Sequence, residues 1–279
     1  MYSLEYLQNG FTYISVRNKV AYAKIALQGA HIFDYRVDGK ESFLWLSEQS
    51  SFEAGKAIRG GIPLCWPRFG NRDRQLPQHG FARVMLFDLI SVEERTPSLT
   101  RVHLQLKSSE KSRAIWNFEF VLDVIFDISE RLKISMTTHN VGSKEFLLTQ
   151  AFHTYFKVSD IHDVIISGLE GVVFLDTLRE LKELEHKPIV VREEIDRVYE
   201  GVIDTILLHD KEKDIKIVAE NSASVIVWNP WIMKCLQMSG MKDDAYRAFI
   251  CIESANAFDD FKIIKPNQKE TIAVHYQEV

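Results

Sequence analysis

The strongest constraint on this chain is the alternation of apolar and polar residues with a period of two, which recurs in short segments along most of its length. In RVHLQLKSS, Val102, Leu104 and Leu106 alternate with polar residues, and RLKISMTTHN repeats the pattern. Successive side chains of a β-strand point to opposite faces, so each such segment predicts a strand with one buried and one solvated face. We therefore expect sheets that each pack one face against a core.

Few helices are expected between these strands. NFEFVLDVIFDISE leads into RLKISMTTHN through Ser129 and Glu130, a connection short enough for a hairpin turn. The segments DVIISGLEGVVFLD, TILLHD, DIKIVAE and SVIVWNP are again short, β-branched and separated by turn residues. Helices are predicted only from Leu178 to His186 and from Lys234 to Met241. The expected fold class is all-β, a large antiparallel β-sandwich with a few short helices.

Length and composition favour one domain. A chain of 279 residues lies within the range of single all-β domains, and 46% apolar residues supply enough material for a packed core. No internal repeat, low-complexity tract or Pro/Gly-rich linker divides the sequence. We expect residues 1–279 to form a single β-sandwich domain.

Charge and cysteine content exclude several functional classes. The 34 basic and 39 acidic residues give a net charge of -5 that is spread along the chain, which argues against a nucleic-acid partner. Cys65, Cys235 and Cys251 lack CxxC spacing and are expected to be reduced core side chains, not a disulfide framework or a zinc site. No signal peptide and no apolar run long enough to span a bilayer is present. We expect a cytoplasmic protein without a membrane partner.

The segment KAIRGGIPLCWPRFGNRDRQLPQHGFARV, residues 56–84, is rich in glycine, proline and arginine. Long irregular segments inside compact domains are usually functional, and the planar guanidinium group suits carboxylate or phosphate ligands. Arg59 and Arg83 flank a part of this segment that is bent by Gly60, Gly61 and a proline, which predicts a site for a small anion. The alternative is that the arginines solvate a surface loop or pair with Asp73.

Two ionisable residues interrupt apolar strands. Glu253 lies within FICIESANAFDDF, where a buried carboxylate is costly unless it is paired or used, although the strand could also turn it outward. His153 lies within QAFHTYFKVSD and is either a core histidine bonded to the backbone or a proton donor. Together with the arginines, the two residues would supply an acid, a base and an anion clamp for proton transfer on a small anionic substrate.

Six motifs, in order, resemble the glucose-6-phosphate 1-epimerases, which are hexose-6-phosphate mutarotases of the aldose 1-epimerase, or galactose mutarotase-like, superfamily. The motifs are IRGGIPLCWPRFG, LPQHGFARV, TQAFHTYFKVSD, EIDRVYEG, VIVWNPW and FICIESAN, and they cover most of the chain from about residue 20 onward. The resemblance implies a galactose mutarotase-like β-sandwich that acts on the anomeric carbon of a sugar phosphate without a metal or organic cofactor. It also leads us to expect a monomer or weak homodimer.

The resemblance also assigns roles to residues. His153 matches the general acid of the family and Glu253 its general base, while Arg59 and Arg83 match its phosphate ligands. His79 and Asp196 match positions that contact sugar hydroxyls. We expect His153 to act while charged, with Asp196 or the substrate phosphate helping to retain its proton.

Two residues depart from the usual family pattern. Arg68 would add a third phosphate contact, and Trp231 would narrow the pocket; either change would shift which hexose phosphate fits. Two further functions stay open: mutarotation of an unphosphorylated aldose, with the arginines serving the fold, and a non-catalytic sugar-phosphate-binding module.

Overall fold

Strands account for most of the regular structure in the computed structural model of the chain, which describes residues 1–71, 76–202 and 204–279. Up to the centre of the chain they are β1 (Tyr2–Tyr6), β2 (Thr12–Arg17), β3 (Ala21–Ala26), β4 (His31–Val37), β5 (Leu64–Cys65), β6 (Asp88–Thr96), β7 (Leu99–Lys107), β8 (Phe120–Ile128), β9 (Leu132–Asn140), β10 (Phe146–Leu148), β11 (Gln150–Phe152) and β12 (Tyr155–Lys157). The later strands are β13 (Ile165–Ser167), β14 (Val173–Asp176), β15 (Leu181–Leu184), β16 (Ile189–Val190), β17 (Ile195–Glu200), β18 (Ile206–His209), β19 (Asp214–Glu220), β20 (Ser224–Asn229), β21 (Phe249–Asn256), β22 (Lys262–Ile264) and β23 (Lys269–Glu278). The two α-helices of the described residues are α1 (Glu110–Ile115) and α2 (Trp231–Gln237).

Two large antiparallel sheets form the body of the protein. One has nine strands in the order β16-β13-β18-β19-β23-β9-β8-β7-β6. The other has eight strands, in the order β15-β14-β17-β20-β21-β11-β5, with β12 also paired to β21. A four-stranded sheet, β1-β2-β3-β4, and a two-stranded sheet, β10-β22, complete the structure. This architecture confirms the predicted all-β fold class, which consists of large antiparallel sheets with few helices.

The predicted alternation of faces is confirmed in the nine-stranded sheet. Val102 and Leu104 of β7 have no solvent exposure, nor do Leu132 and Ile134 of β9, while the intervening residues are partly exposed. The hairpin joining β8 to β9 turns at residues 129–131, as its short connection predicted. Each large apolar side chain buried in this way contributes roughly 1.5 to 3 kcal/mol, so one continuous face of the sheet holds much of the stability.

The helix predicted from Leu178 to His186 is wrong. The segment is a hairpin in which β15 pairs with β14 at the edge of the eight-stranded sheet. Leu178, Leu181 and Leu184 recur at helical spacing, but all three are exposed, so no buried helical face exists to stabilise a helix. The second predicted helix is displaced toward the N-terminus: α2 begins before Lys234, ends before Met241, and overlaps the predicted segment only at residues 234–237.

Backbone contacts tie parts of the arginine-rich segment to the neighbouring chain. It contains β5, and isolated bridges join Leu46 to Gly60 and Ile32 to Ile62. Asp73, a predicted arginine partner, lies outside the described residues. The three cysteines are buried and unpaired, as expected for core side chains. Within the described part of the chain, no helix has both the length and the apolar character needed to cross a membrane.

Candidate active site

The register of the eight-stranded sheet brings His153 and Glu253 together. Strand β11 pairs with the end of β21, with Phe152 opposite Ser254, and β12 pairs with its beginning, with Tyr155 opposite Cys251. The register is the same on both sides of the two-residue gap between β11 and β12, so its continuation sets His153 opposite Glu253. Side chains at directly opposed positions of an antiparallel pair lie on the same face within contact distance.

The backbone of His153 bonds on its other side, where it continues the pairing of β11 with the segment that contains β5. Its N–H donates to the carbonyl oxygen of Pro63, 3.0 Å away, in the arginine-rich segment. Nε2 of the imidazole lies 3.4 Å from Oε1 of Glu253, and both side chains are almost fully buried. Within the described part of the chain, Nδ1 of His153 and Oε2 of Glu253 have no hydrogen-bond partner. Unpartnered buried polar atoms are rare and costly, which marks this pair as a candidate reactive centre.

Aromatic rings fix the orientation of the imidazole. The ring of Tyr155 stacks on His153 with centroids 4.8 Å apart and planes 7° apart. Trp228 and His79 approach the imidazole edge-to-face, with centroid separations of 5.9 and 5.5 Å. His79 was predicted as a site residue, but Tyr155 and Trp228 were not, although Tyr155 is two residues from His153 and therefore on the same strand face.

Burial moves the two central groups toward their neutral forms. It lowers the pKa of His153 well below 6.5, and the positive charges of Arg83 and Arg59 lower this pKa further. Burial also raises the pKa of Glu253 well above 4.5, with a smaller contribution from Asp196. The pair therefore holds one proton over a wide pH range, and the neutral arrangement is favoured before substrate binds.

The expectation that Asp196 keeps His153 protonated is wrong for the site without substrate. His153 is surrounded by aromatic rings and positive charges, and Asp196 contributes to the pKa of Glu253, not to that of His153. Desolvation and repulsion both oppose an imidazolium here. A charged His153 needs a negative group that arrives with the substrate.

Both predicted clamp arginines belong to the positively charged side of the site. Arg59 is half-buried, and its Nη1 donates to the hydroxyl of Tyr155 across 3.5 Å. Nη2 of Arg83 donates to the backbone carbonyl of Gln78, 2.7 Å away. Among residues 1–71, 76–202 and 204–279, neither guanidinium has a carboxylate partner in a salt bridge. Both charges lower the pKa of His79 and of His153, so they act on the same small region.

His79 lines the same region in the neutral form. Its backbone has a φ of 60°, a left-handed conformation that a non-glycine residue adopts at some cost. Nδ1 accepts from the Gly70 N–H, 3.3 Å away, and Nε2 lies 3.4 Å from the side-chain amide nitrogen of Gln78. Burial lowers its pKa to about 3, with Arg83 and Arg59 adding repulsion. A neutral imidazole has one donor and one acceptor nitrogen, which suits contact with a sugar hydroxyl, the predicted role.

Asp196 reaches the site from β17. It lies one strand beyond β20, opposite Trp228, and is half-buried. Burial raises its pKa, while the cationic Lys234 of α2 opposes that rise. Lys234 forms an ion pair with Glu194 at 2.9 Å, and no pattern in the sequence predicted its place near Asp196. The six predicted site residues are thus linked: His153 contacts Glu253 and His79, the charges of Arg59 and Arg83 lower the pKa of His153, and Asp196 raises that of Glu253.

The two residues that depart from the family pattern, Trp231 and Arg68, have different surroundings in the structure. Trp231 has a φ of 54° and packs its ring against Tyr246 and His162, with centroid distances of 5.3 and 5.2 Å. No contact of Trp231 with the rings around His153 is present among the described residues. Arg68 is half-buried in the arginine-rich segment, and its expected phosphate contact stays a prediction.

Comparison with known proteins gives consistent matches. A family model described as "Aldose 1-epimerase" matches residues 13–277. Relatives named "Putative glucose-6-phosphate 1-epimerase" occur in Escherichia coli (36% identity, covering 87% of this chain and 82% of the relative) and in Cenchrus ciliaris (34% identity, covering 88% and 78%). A crystal structure described as "a putative mutarotase" from Salmonella typhimurium superposes with a TM-score of 0.93 at 31% identity, covering 100% of this chain and 93% of the other.

Proposed function

The chain belongs to the aldose 1-epimerase family and is an isomerase of that type, and from this premise we propose that it interconverts the α and β anomers of a hexose 6-phosphate. D-Glucose 6-phosphate is the expected substrate, as the names of the relatives suggest. The observation that carries the choice of a phosphorylated sugar is the pair of arginines, Arg59 and Arg83, whose charges act on the candidate catalytic histidine without a salt-bridge partner among the described residues.

Ring opening moves two protons. A carboxylate at Glu253 takes the proton of the C1 hydroxyl while an imidazolium at His153 gives one to the ring oxygen O5, and the C1–O5 bond breaks to leave an open-chain aldehyde. Rotation about C1–C2 presents the other face of the aldehyde. Reclosure forms the C1–O5 bond again, with His153 now taking the proton from the C5 hydroxyl and Glu253 returning one to the oxygen on C1.

The one-proton pair is suited to this exchange. Before substrate binds, burial favours the proton on Glu253, and after transfer to His153 the same total charge is retained. The net charge of the pair is therefore constant through opening and reclosure, so no further proton has to enter the buried site. A group that donates in one direction accepts in the other, as reversible catalysis requires.

The substrate phosphate would also activate the acid. Arg59 and Arg83 lower the pKa of His153 in the unliganded protein. A phosphate dianion bound between them would offset both charges and thereby raise the pKa of His153 toward its ordinary value. The phosphorylated sugar is then expected to have a higher kcat as well as a lower KM than the free sugar.

The decisive experiment is two-dimensional NMR exchange spectroscopy on equilibrated D-glucose 6-phosphate and, separately, on glucose. Exchange cross-peaks that grow with enzyme concentration for the phosphate ester, and far less for glucose, would support the proposal. Comparable acceleration of glucose would keep the acid and base but reassign the arginines to the fold. No acceleration of either sugar, or of other hexose 6-phosphates, would favour the binding-module alternative.

A further inference from the structure

His31 is a fully buried histidine that the proposed reaction does not use. It begins β4 and has no solvent exposure. Its Nε2 lies 2.8 Å from the carbonyl oxygen of Gly60, so Nε2 carries the proton and donates it. Nδ1 is buried and has no partner within the described residues. Burial lowers the pKa of His31 to about 4, and the charge of Arg83 contributes to the lowering.

The bond from His31 ends in the middle of the turn that carries Arg59. Gly60 and Gly61 have φ values of 108° and 61°, and a Cβ on Gly61 would lie 2.4 Å from the Ile32 carbonyl oxygen. The Ser47 N–H donates to the Arg59 carbonyl, and the Gly61 N–H donates to the Trp45 carbonyl. The turn is therefore seated tightly against β4, and the imidazole of His31 supports it from the buried side.

The same corner of the chain contacts the segment that carries Arg83. A Cβ on Gly29 would lie 2.7 Å from the Arg83 carbonyl oxygen, and the Gly29 N–H donates to the Met85 carbonyl, 2.8 Å away. Residues 29–31 thus touch the backbone next to both arginines. A shift at this corner would change the separation of the two guanidinium groups.

We propose that His31 is a positioning residue that sets the geometry of the phosphate clamp by holding the Gly60 carbonyl. The inference rests on the proposed function in that Arg59 and Arg83 are taken to bind the substrate phosphate. His31 touches neither the sugar nor the reacting atoms. Its effect is expected in the affinity for the phosphate group and not in the proton-transfer steps.

The test compares His31→Gln with His31→Leu. The amide nitrogen of glutamine can occupy the place of Nε2 and keep the bond to Gly60, whereas leucine fills a similar volume without a donor. His103→Leu serves as a control, because His103 lies on the partly exposed face of the nine-stranded sheet, bonded to Asp123. Urea denaturation and circular dichroism establish that each variant is folded at the assay temperature.

Two readouts are measured: KM and kcat for D-glucose 6-phosphate, and the dissociation constant of inorganic phosphate by calorimetry. We expect His31→Leu to raise KM and the phosphate dissociation constant by about tenfold, with kcat changed by less than about twofold. His31→Gln should restore both values to within about threefold of those of the unmodified protein.

Three results would overturn the inference: unchanged phosphate affinity in folded His31→Leu, an equal loss in His31→Gln, or a fall in kcat with KM unchanged. The calorimetric readout needs no turnover. If the unmodified protein binds phosphate but does not accelerate anomer exchange, the proposed function fails while the effect of His31 on the clamp can still be measured. If His31→Leu weakens phosphate binding and His31→Gln does not, the inference is supported whichever sugar is the substrate.

Discussion

Nε2 of His153 lies 3.4 Å from Oε1 of Glu253, across one pair of neighbouring strand segments in the eight-stranded sheet. The two groups are close enough to share one proton and are screened from water by their burial. A pair that works as a unit should lose nearly all its activity when either member is removed, and should lose little more when both are removed.

Replacement of the pair provides the first prediction. His153→Asn and Glu253→Gln should each lower the rate of anomer exchange by about 10² to 10⁴, because each removes one positioned proton-transfer group. The double variant should be slower than the worse single variant by less than about tenfold. Exchange spectroscopy gives the rates, and calorimetry should find sugar-phosphate affinity within about tenfold of the original. Additive losses would mean that the two groups act independently.

Removal of the clamp provides the second prediction. Arg59→Ala or Arg83→Ala should raise KM for D-glucose 6-phosphate by about 10- to 100-fold, since each removes a charge-assisted contact to phosphate. The rate with free glucose should not fall, because loss of either charge raises the pKa of His153, and glucose is therefore the internal control in the same exchange experiment. Arg36→Ala, at a surface ion pair with Asp34, is a matched control for the loss of an arginine. Equal losses with both sugars would show that the arginines serve the fold.

The third prediction concerns the pH dependence of kcat/KM. Activity requires the pair to hold one proton, so it falls when His153 gains a second proton and when Glu253 loses the only one. Because burial lowers the pKa of His153 and raises that of Glu253, the acidic limb should lie below pH 6.5 and the alkaline limb well above pH 4.5. If kcat/KM for glucose 6-phosphate rose with pH and reached half its maximum only above pH 6.5, the assignment of a neutral pair would be contradicted.

The fourth prediction concerns stability in acid. The pKa of His31 is about 4 in the folded chain and about 6.5 when unfolded, so the unfolded state binds more protons between these values. Stability should therefore fall as pH falls from 6.5 toward 4, and the full contribution of this one residue is about 3 kcal/mol. His31→Gln should be less sensitive to acid than the unmodified protein by about 2 kcal/mol between pH 7 and pH 4.5, measured by urea denaturation. If the free energy of unfolding had the same pH dependence in the two proteins, a buried neutral His31 would be ruled out.

The fifth prediction uses two glycines with positive φ. Gly61 and Gly39 have φ values of 61° and 77°, but only at Gly61 does an added Cβ meet backbone atoms, while at Gly39 nothing lies within 4 Å. Gly39→Ala should cost about 1 kcal/mol, from the left-handed backbone alone. Gly61→Ala should cost at least about 2 kcal/mol more, because the turn must move away from β4. Equal free energies of unfolding would contradict the tight seating of the Arg59 turn.

The sequence predicted the sheet-forming segments because a strand of period two displays its buried face directly, as in β7 and β9. It misplaced β15, since three leucines at helical spacing occur by chance in an exposed edge strand. The proximity of His153 and Glu253 could not be read from spacing, because it depends on strand pairing between residues 100 positions apart. The resemblance supplied both residues, but not the charge state of the pair.

His31 shows a different limit of sequence reasoning. In QGAHIF it looks like any core histidine, and its bond to Gly60 depends on a turn some 30 residues later in the chain. Tyr155 was closer to being predictable, since it shares a strand face with His153. Its stacking against the imidazole, however, depends on the rotation of both side chains in the folded protein.

Strands β11 and β12 pair with β21 in one unbroken register, and this register sets His153 opposite Glu253. The rate of anomer exchange therefore reports whether β21 is correctly aligned. A shift of β21 by one residue would turn Glu253 to the opposite face of the sheet and leave His153 across from a side chain that cannot exchange a proton. Refolded protein with a misaligned β21 would then be inactive even where its content of β-structure was normal. Comparing recovered turnover with recovered circular dichroism would give the fraction of molecules in which these strands are correctly aligned.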